Sequence, residues 1–219
     1  MKRHIEKCSK LKFEDVRQMI VDGQGKLKAR RINPMVSREL CANLIIQHGL
    51  PFNFVEYEAL RTWISYLNPD ACLVSRNTIK SDVLKIHRKE KNMLKEEFRK
   101  IGNRICLTSD MWTSIIGEGY IALTAHYVDT NLKLCSKILN FCHFLPPHTS
   151  FELSKKINGF LHDWEIEKMI FSLTLDNAST NDVLIKTLKS ELLLQNALVC
   201  DGEFLHVRCC THILNLIVQ

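Results

Sequence analysis

The feature that most restricts the fold is a change of period at Ile101. Before it, apolar residues recur at helical spacing among many charges. After it, three β-type runs follow one another across short turns. The first spans Arg104 to Ser109 and closes at Asp110. The second spans Gly119 to Val128 and is rich in Ile, Leu, Thr and Tyr. The third spans Leu132 to Phe144, after a turn at Asp129-Thr130-Asn131. Strands joined by turns this short predict an antiparallel meander.

The pattern then alternates. Thr149-Ser150-Phe151-Glu152 has the form of a capping box, and Leu153, Ile157, Phe160, Leu161 and Trp164 make one apolar helical face. Ile170 to Leu175 reads as a buried strand ending at Asp176. Ser179, Thr180 or Asn181 caps the helix that runs on to about Leu194. Glu203 to Val207 reads as a fifth strand, and Cys209 to Gln219 as a further helix. Residues 101–219 therefore read β-β-β-α-β-α-β-α. This predicts an α/β fold, a mixed sheet with helices on its faces, in the order of the ribonuclease H-like fold. A small helical region, residues 34–100, precedes it. Its helices are expected over 34–49, from about Val55 to Leu67, and over the charged stretch Ser75 to Lys100. Residues 11–33 are basic and weakly patterned and read as a linker.

The net charge of +6 is divided unevenly. Residues 1–100 hold 21 Lys and Arg against 12 Asp and Glu, whereas residues 101–219 hold 9 against 12. A basic front suits phosphate contact, and an acidic back suits cation binding. The nine cysteines are odd in number and irregularly spaced, which reads as reduced thiols. No apolar run approaches the ~20 residues that cross a bilayer, so no membrane partner is expected.

Asp110 and Asp176 fall at the ends of the first and fourth strands, where open α/β sheets collect ligands. If those strands are neighbours, two hard carboxylate ligands enter one crevice, a donor set suited to Mg²⁺ or Mn²⁺. Strand-end aspartates also serve simply as caps, and position alone does not separate the two uses.

The words around these aspartates carry more. Leu107-Thr-Ser-Asp-Met-Trp-Thr-Ser114, Gly119-Tyr-Ile-Ala-Leu-Thr-Ala-His-Tyr-Val-Asp129, Leu173-Thr-Leu-Asp-Asn-Ala-Ser179 and Arg208-Cys-Cys-Thr-His-Ile-Leu-Asn-Leu216 occur in this order. Upstream stand Leu50-Pro51-Phe52 and Ser75-Arg76-Asn77-Thr78-Ile79. Together they resemble the hAT superfamily of DNA transposases, in particular the plant zinc-finger BED, RICESLEEPER-like group, over roughly residues 34–219. The resemblance implies that Asp110 and Asp176 are the first two catalytic, metal-binding acids of a DDE-type strand-transfer site. It matches the family's Cys-x-x-His word to Cys209 and His212, which would share a helix face. It also makes residues 1–33 the remnant of a BED-type zinc finger plus a basic linker, with His4 and Cys8 as relic ligands. Zinc itself is not expected, because a closed structural site takes four ligands. DNA as partner and the nucleus as location follow from the same resemblance.

The pattern departs from the family after the Cys-x-x-His word. The expected third acid, a Glu, is missing. Glu203 precedes that word, and Asp182 reads as a helix-capping residue. The family's dimerisation segment is not found either. Three readings follow. One is a transposase-derived, DNA-binding protein with an incomplete site, inactive in strand transfer and weak or lacking in metal. Another is a truncated form of an active hAT transposase. The third is a protein-interaction module without DNA binding, self-associating through exposed apolar surface. For DNA contact the sequence nominates Lys85, Arg88, Lys89, Lys91 and Lys95, on a helix segment (85–100) with seven Lys and Arg against three Glu. Trp112 is either a stacking wall toward DNA or a core residue.

Overall fold

The computed structural model describes residues 19–21, 24, 27–29, 32–69, 71–146, 149–178 and 180–218. Of these, 19–21, 27–29, 180, 212, 213, 215 and 216 are described by backbone alone. The chain forms two compact units, one ending at Glu90 and the other beginning at Lys91. The division expected at Lys100 thus falls inside the long helix rather than after it.

In the first unit, β1 (Met19–Val21) pairs antiparallel with β2 (Leu27–Ala29). Part of the stretch read as a linker is therefore a hairpin. Helix α1 (Pro34–His48) starts where the Asn33 side chain accepts from the Met35 and Val36 amides at 2.9 and 3.4 Å, with Pro34 supplying a pre-set φ. It stops at Gly49, which takes a left-handed φ of 60° and returns its N–H to the Ile45 carbonyl. Helix α2 (Glu58–Leu67) begins later than expected. Val55 is buried in a separate 3₁₀ turn, Phe52–Glu56, and the extended backbone of Tyr57 separates the two. Helix α3 (Arg76–Lys100) follows, its first turn bonded by Ser75 and Glu56 side chains. Ala42, Ile45, Val55 and Ile79 form the small core. Arg38 grips Asp82 through two bonds of 2.8 and 2.7 Å and holds that carboxyl below its ordinary range.

The second unit is built on one five-stranded sheet. Its strands are β3 (Ile105–Thr113), β4 (Gly119–Val128), β5 (Leu134–His143), β6 (Ile170–Leu175) and β7 (His206–Arg208). Their spatial order is β5-β4-β3-β6-β7. The β3-β4-β5 meander is antiparallel, while β6 lies parallel to β3 and β7 parallel to β6. β7 is shorter than expected. Glu203 stands in an exposed turn ahead of it, where Cys200, Asp201 and Gly202 all take left-handed backbone.

Burial alternates strictly along β4. Ile105 and Leu107, then Ile121, Leu123, Ala125 and Tyr127, point to one side with Leu173 and Leu175. Onto that side pack the end of α3 (Phe98, Ile101), helix α4 (Ser150–Trp164) and helix α5 (Thr180–Leu194). Every apolar position predicted for the α4 face is buried. Thr149 caps α4 by accepting from the Glu152 amide at 3.2 Å. Among the described residues the buried cluster belongs to this face alone, rather than to both faces. Each large apolar side chain removed from water there stabilises the unit by about 1.5–3 kcal/mol, before the cost of ordering the chain.

A last helix, α6, covers Cys210–Val218. No described helix is long and apolar enough to cross a membrane.

Candidate functional site

Asp110 lies within β3, opposite Ala122 of β4, and not at the strand's end; the β3–β4 ladder continues three residues further, to Thr113. Only the parallel side of β3 ends early, at the pair Thr108 and Thr174. Carrying that register forward by two residues sets Asp110 abreast of Asp176, the residue that follows β6. Adjacent strands lie roughly 4.8 Å apart, and residues two apart share a face, so both carboxylates rise from the same edge of the sheet. Asp110 is exposed, and among the described residues no hydrogen bond or ion pair engages its carboxylate.

Asp176 is held on one side. Its Oδ1 accepts from the Ala178 amide at 3.2 Å and from Asn181 Nδ2. The same Nδ2 donates to the Asp176 carbonyl at 3.0 Å. Asn181 is 7% exposed. It therefore braces the acid rather than capping α5. The loop is tied to the next strand by Cys209, whose amide donates to the Leu175 carbonyl at 2.9 Å and whose carbonyl receives Asn177 Nδ2 at 3.5 Å. Asn177 Oδ1 is a buried acceptor without a partner among the described residues.

These facts bear on a metal ion directly. The carboxylate of Asp110 and the Oδ2 of Asp176 are hard oxygen donors of the kind that suits Mg²⁺ or Mn²⁺. Among the described residues no group of three His, Cys, Asp or Glu gathers into a metal site.

Other nominated residues are placed differently. Cys209 is the residue immediately before α6 and His212 lies in the helix's first turn; the His212 side chain is not described. His4 and Cys8 lie outside the described residues. Lys91 donates to Asp163 at 2.5 Å and sits 5.0 Å from the centre of the Trp164 ring. Lys95 donates to Glu165 at 2.9 Å. Both are paired with carboxylates at the end of α4. In the first unit Lys85 approaches Asp82 at 3.6 Å and Arg88 bonds the Leu84 carbonyl, while Lys89 is exposed. Asp182 sits in the first turn of α5, where its charge suits the helix N-terminus, and meets Arg208 at 3.4 Å.

Trp112 is not a core residue. It is 39% exposed on the face away from the helices, stacked on Tyr120 with ring centres 6.1 Å apart and tilted against Phe141 at 5.4 Å. Reading the sequence did not single out Tyr120, Phe141, Asn177 or the bracing role of Asn181. The two-residue period of a strand sets Thr108, Asp110 and Trp112 on the side opposite Ile105 and Leu107, and could have exposed the aromatic set.

A five-stranded mixed sheet in this order, with helices packed on it, is a ribonuclease H-like fold. The ZBED1 RNase-like domain family matches residues 108–204, which include Asp110 and Asp176. The chain is 37% identical to a Zea mays protein named as an AC transposase, over 80% of its length and 22% of the relative's. It is 34% identical to zinc finger BED domain-containing protein RICESLEEPER 2 of Oryza sativa subsp. japonica, over 81% of this chain and 25% of that one. RICESLEEPER 1 of the same organism is 31% identical across the whole chain, which spans 34% of it. The chain thus covers between about a fifth and a third of these relatives. It is a homologue of the AC transposases and the plant RICESLEEPER proteins, and the match to the ribonuclease-like domain supports the hAT-type group.

Proposed function

We propose that this transposase-derived chain binds DNA in the nucleus and that Asp110 and Asp176 hold a divalent ion against a DNA phosphodiester. The observation that carries this reading is the β3–β6 register, which brings the two acids abreast. When bound, Mg²⁺ or Mn²⁺ supplies charge against the scissile phosphate and lowers the pKa of a bound hydroxyl. The chain's own part is to fix the carboxylates: a ladder pair on each side for Asp110's strand, and the Asn181 amide for Asp176. The resemblance implies three acids for strand transfer. Among the described residues Asp110 and Asp176 stand at this corner, and the proposed ion contact rests on these two.

Mn²⁺ titration followed by electron paramagnetic resonance tests the site. Binding should weaken at least tenfold in Asp110→Asn and in Asp176→Asn. Equal affinity in all three proteins would overturn the metal assignment. DNA binding is read separately, by anisotropy with labelled duplex at rising salt. Phosphate contacts make the affinity fall steeply between about 50 and 200 mM.

A second reading, self-association, is favoured by the exposed Leu214, Ile217 and Val218 of α6. A sedimentation coefficient that rises with concentration supports it, and one that stays constant removes it.

A further inference from the structure

The face of the sheet opposite the helices carries four rings in one cluster. Trp112 of β3, Tyr120 of β4 and Phe141 and His143 of β5 are successive neighbours across three strands. Tyr120 lies nearly parallel to both Trp112 (21°) and Phe141 (22°), with centres 6.1 and 5.8 Å away, and His143 leans on Tyr120 at 5.4 Å. Phe141 is 61% exposed. Tyr120 is anchored by donating to Glu118 at 2.7 Å. Trp112 lies two residues beyond Asp110 on the same strand, so rings and carboxylate share one face.

This face does not suit burial against another protein layer. Asp110 stands in the row of Phe141, and Thr108, Thr124 and His126 continue the same face in the next rows, Thr108 and His126 being bonded at 3.1 Å. Covering an unpaired carboxylate with apolar surface is costly. Exposed rings, stacked on one another beside polar groups, are instead a surface on which unpaired bases stack.

The surroundings fit a nucleic-acid strand. His143 also lines a groove of about 410 Å³ with Lys155 and Lys156 of α4, at the edge of the sheet. One residue thus joins the ring cluster to two cations, with Glu152 as the opposing charge in the groove. Residues 101–219 are acidic overall, with 9 Lys and Arg against 12 Asp and Glu. Attraction by uncharged rings, with phosphate contact confined to this groove, is consistent with that balance.

We propose that Trp112, Tyr120, Phe141 and His143 form a platform for unpaired bases of single-stranded DNA. Its backbone runs toward Lys155 and Lys156, delivering an adjoining phosphate to the Asp110 side of the face. The proposal rests on the DNA-binding reading above and adds that the strand is unpaired where it meets the sheet. It takes stacking as the main source of affinity.

The full chain is titrated without metal against labelled oligothymidine and against a blunt duplex. The single strand should bind at least fivefold more tightly. Trp112→Ala and Phe141→Ala should each weaken it roughly tenfold, as expected for loss of one stacked base. Trp112→Phe keeps a flat ring and should retain most of the affinity. Lys155→Ala with Lys156→Ala should shallow the salt dependence. Circular dichroism melts confirm that the variants are folded.

Equal binding of single strand and duplex, with the ring variants unchanged, would overturn the platform while leaving the duplex-binding reading intact. Binding of neither DNA would sink both, while Mn²⁺ affinity would still test the metal site on its own. Ring variants that abolish self-association and leave oligothymidine binding unchanged would assign the face to a second copy of the chain and overturn the proposal.

Discussion

Asn181 donates one amide nitrogen to both the carboxylate and the carbonyl of Asp176, although the residues lie in different elements. Replacing Asn181 with Leu leaves those acceptors without this donor and lets the carboxylate turn. We expect a stability loss of about 1–3 kcal/mol, the usual effect of unsatisfying buried polar groups. Mn²⁺ affinity should fall by a larger factor than the melt suggests. Denaturant unfolding and Mn²⁺ titration on the same preparations separate the effects. An unchanged Mn²⁺ affinity would leave Asn181 a structural residue only.

Glu165 ends α4 in left-handed backbone, and Lys95 and Arg99 hydrogen-bond its carboxylate and hold its pKa down to about 2. A carboxylate with a depressed folded pKa contributes stability above its unfolded pKa and loses it as pH falls. The difference in stability between wild type and Glu165→Gln should therefore be full at pH 7, shrink below about pH 4.5 and vanish near pH 2. The group is exposed, so added salt should narrow the difference at neutral pH. Paired urea titrations across this range give the curve.

Tyr127 is 2% exposed, packs edge-on against Phe98 and donates to Glu97 at 2.7 Å. Burial, then the bond to Glu97, pushes its hydroxyl pKa well above the usual value. Tyr127→Phe keeps the ring and removes the bond, and should cost about 1–2 kcal/mol. The tyrosine should not ionise below the alkaline unfolding transition. A phenolate absorbance rise of two-state form before unfolding would contradict this environment.

The cations of α3 divide into two kinds. Lys91→Ala removes a contact to Asp163 and a charge over Trp164, and should lower stability by on the order of 1 kcal/mol. Lys95→Ala should destabilise in the same direction through Glu165. Lys89, exposed, with Arg88 beside it, should affect DNA affinity and not the melt. If these two contact phosphates, their replacement should reduce the slope of log affinity against log salt by about one to two. The reverse assignment, with Lys91 altering only DNA binding, would show that its ion pair is replaced in the complex.

Much of this protein was readable along the chain. The element order from β3 to α6, the buried face of α4 and the cap at Thr149 come from local rules, whereas Asp110 and Asp176 are singled out by the resemblance of the words around them. Side-chain direction repeats every two residues in a strand and about every 3.6 in a helix, and a cap is satisfied within three residues. The tertiary structure alone decided what those residues face. Asp110 and Asp176 are set abreast by carrying forward a parallel ladder that pairs strands more than sixty positions apart in sequence. The same long-range pairing gathers Trp112, Tyr120 and Phe141 on the face opposite the helices. Lys91 and Lys95 look like free cations in sequence because no carboxylate stands three or four residues from either along the helix. Their partners, Asp163 and Glu165, arrive only when α4 folds back against the end of α3. Charge interactions depend on distance in space, which periodicity does not encode.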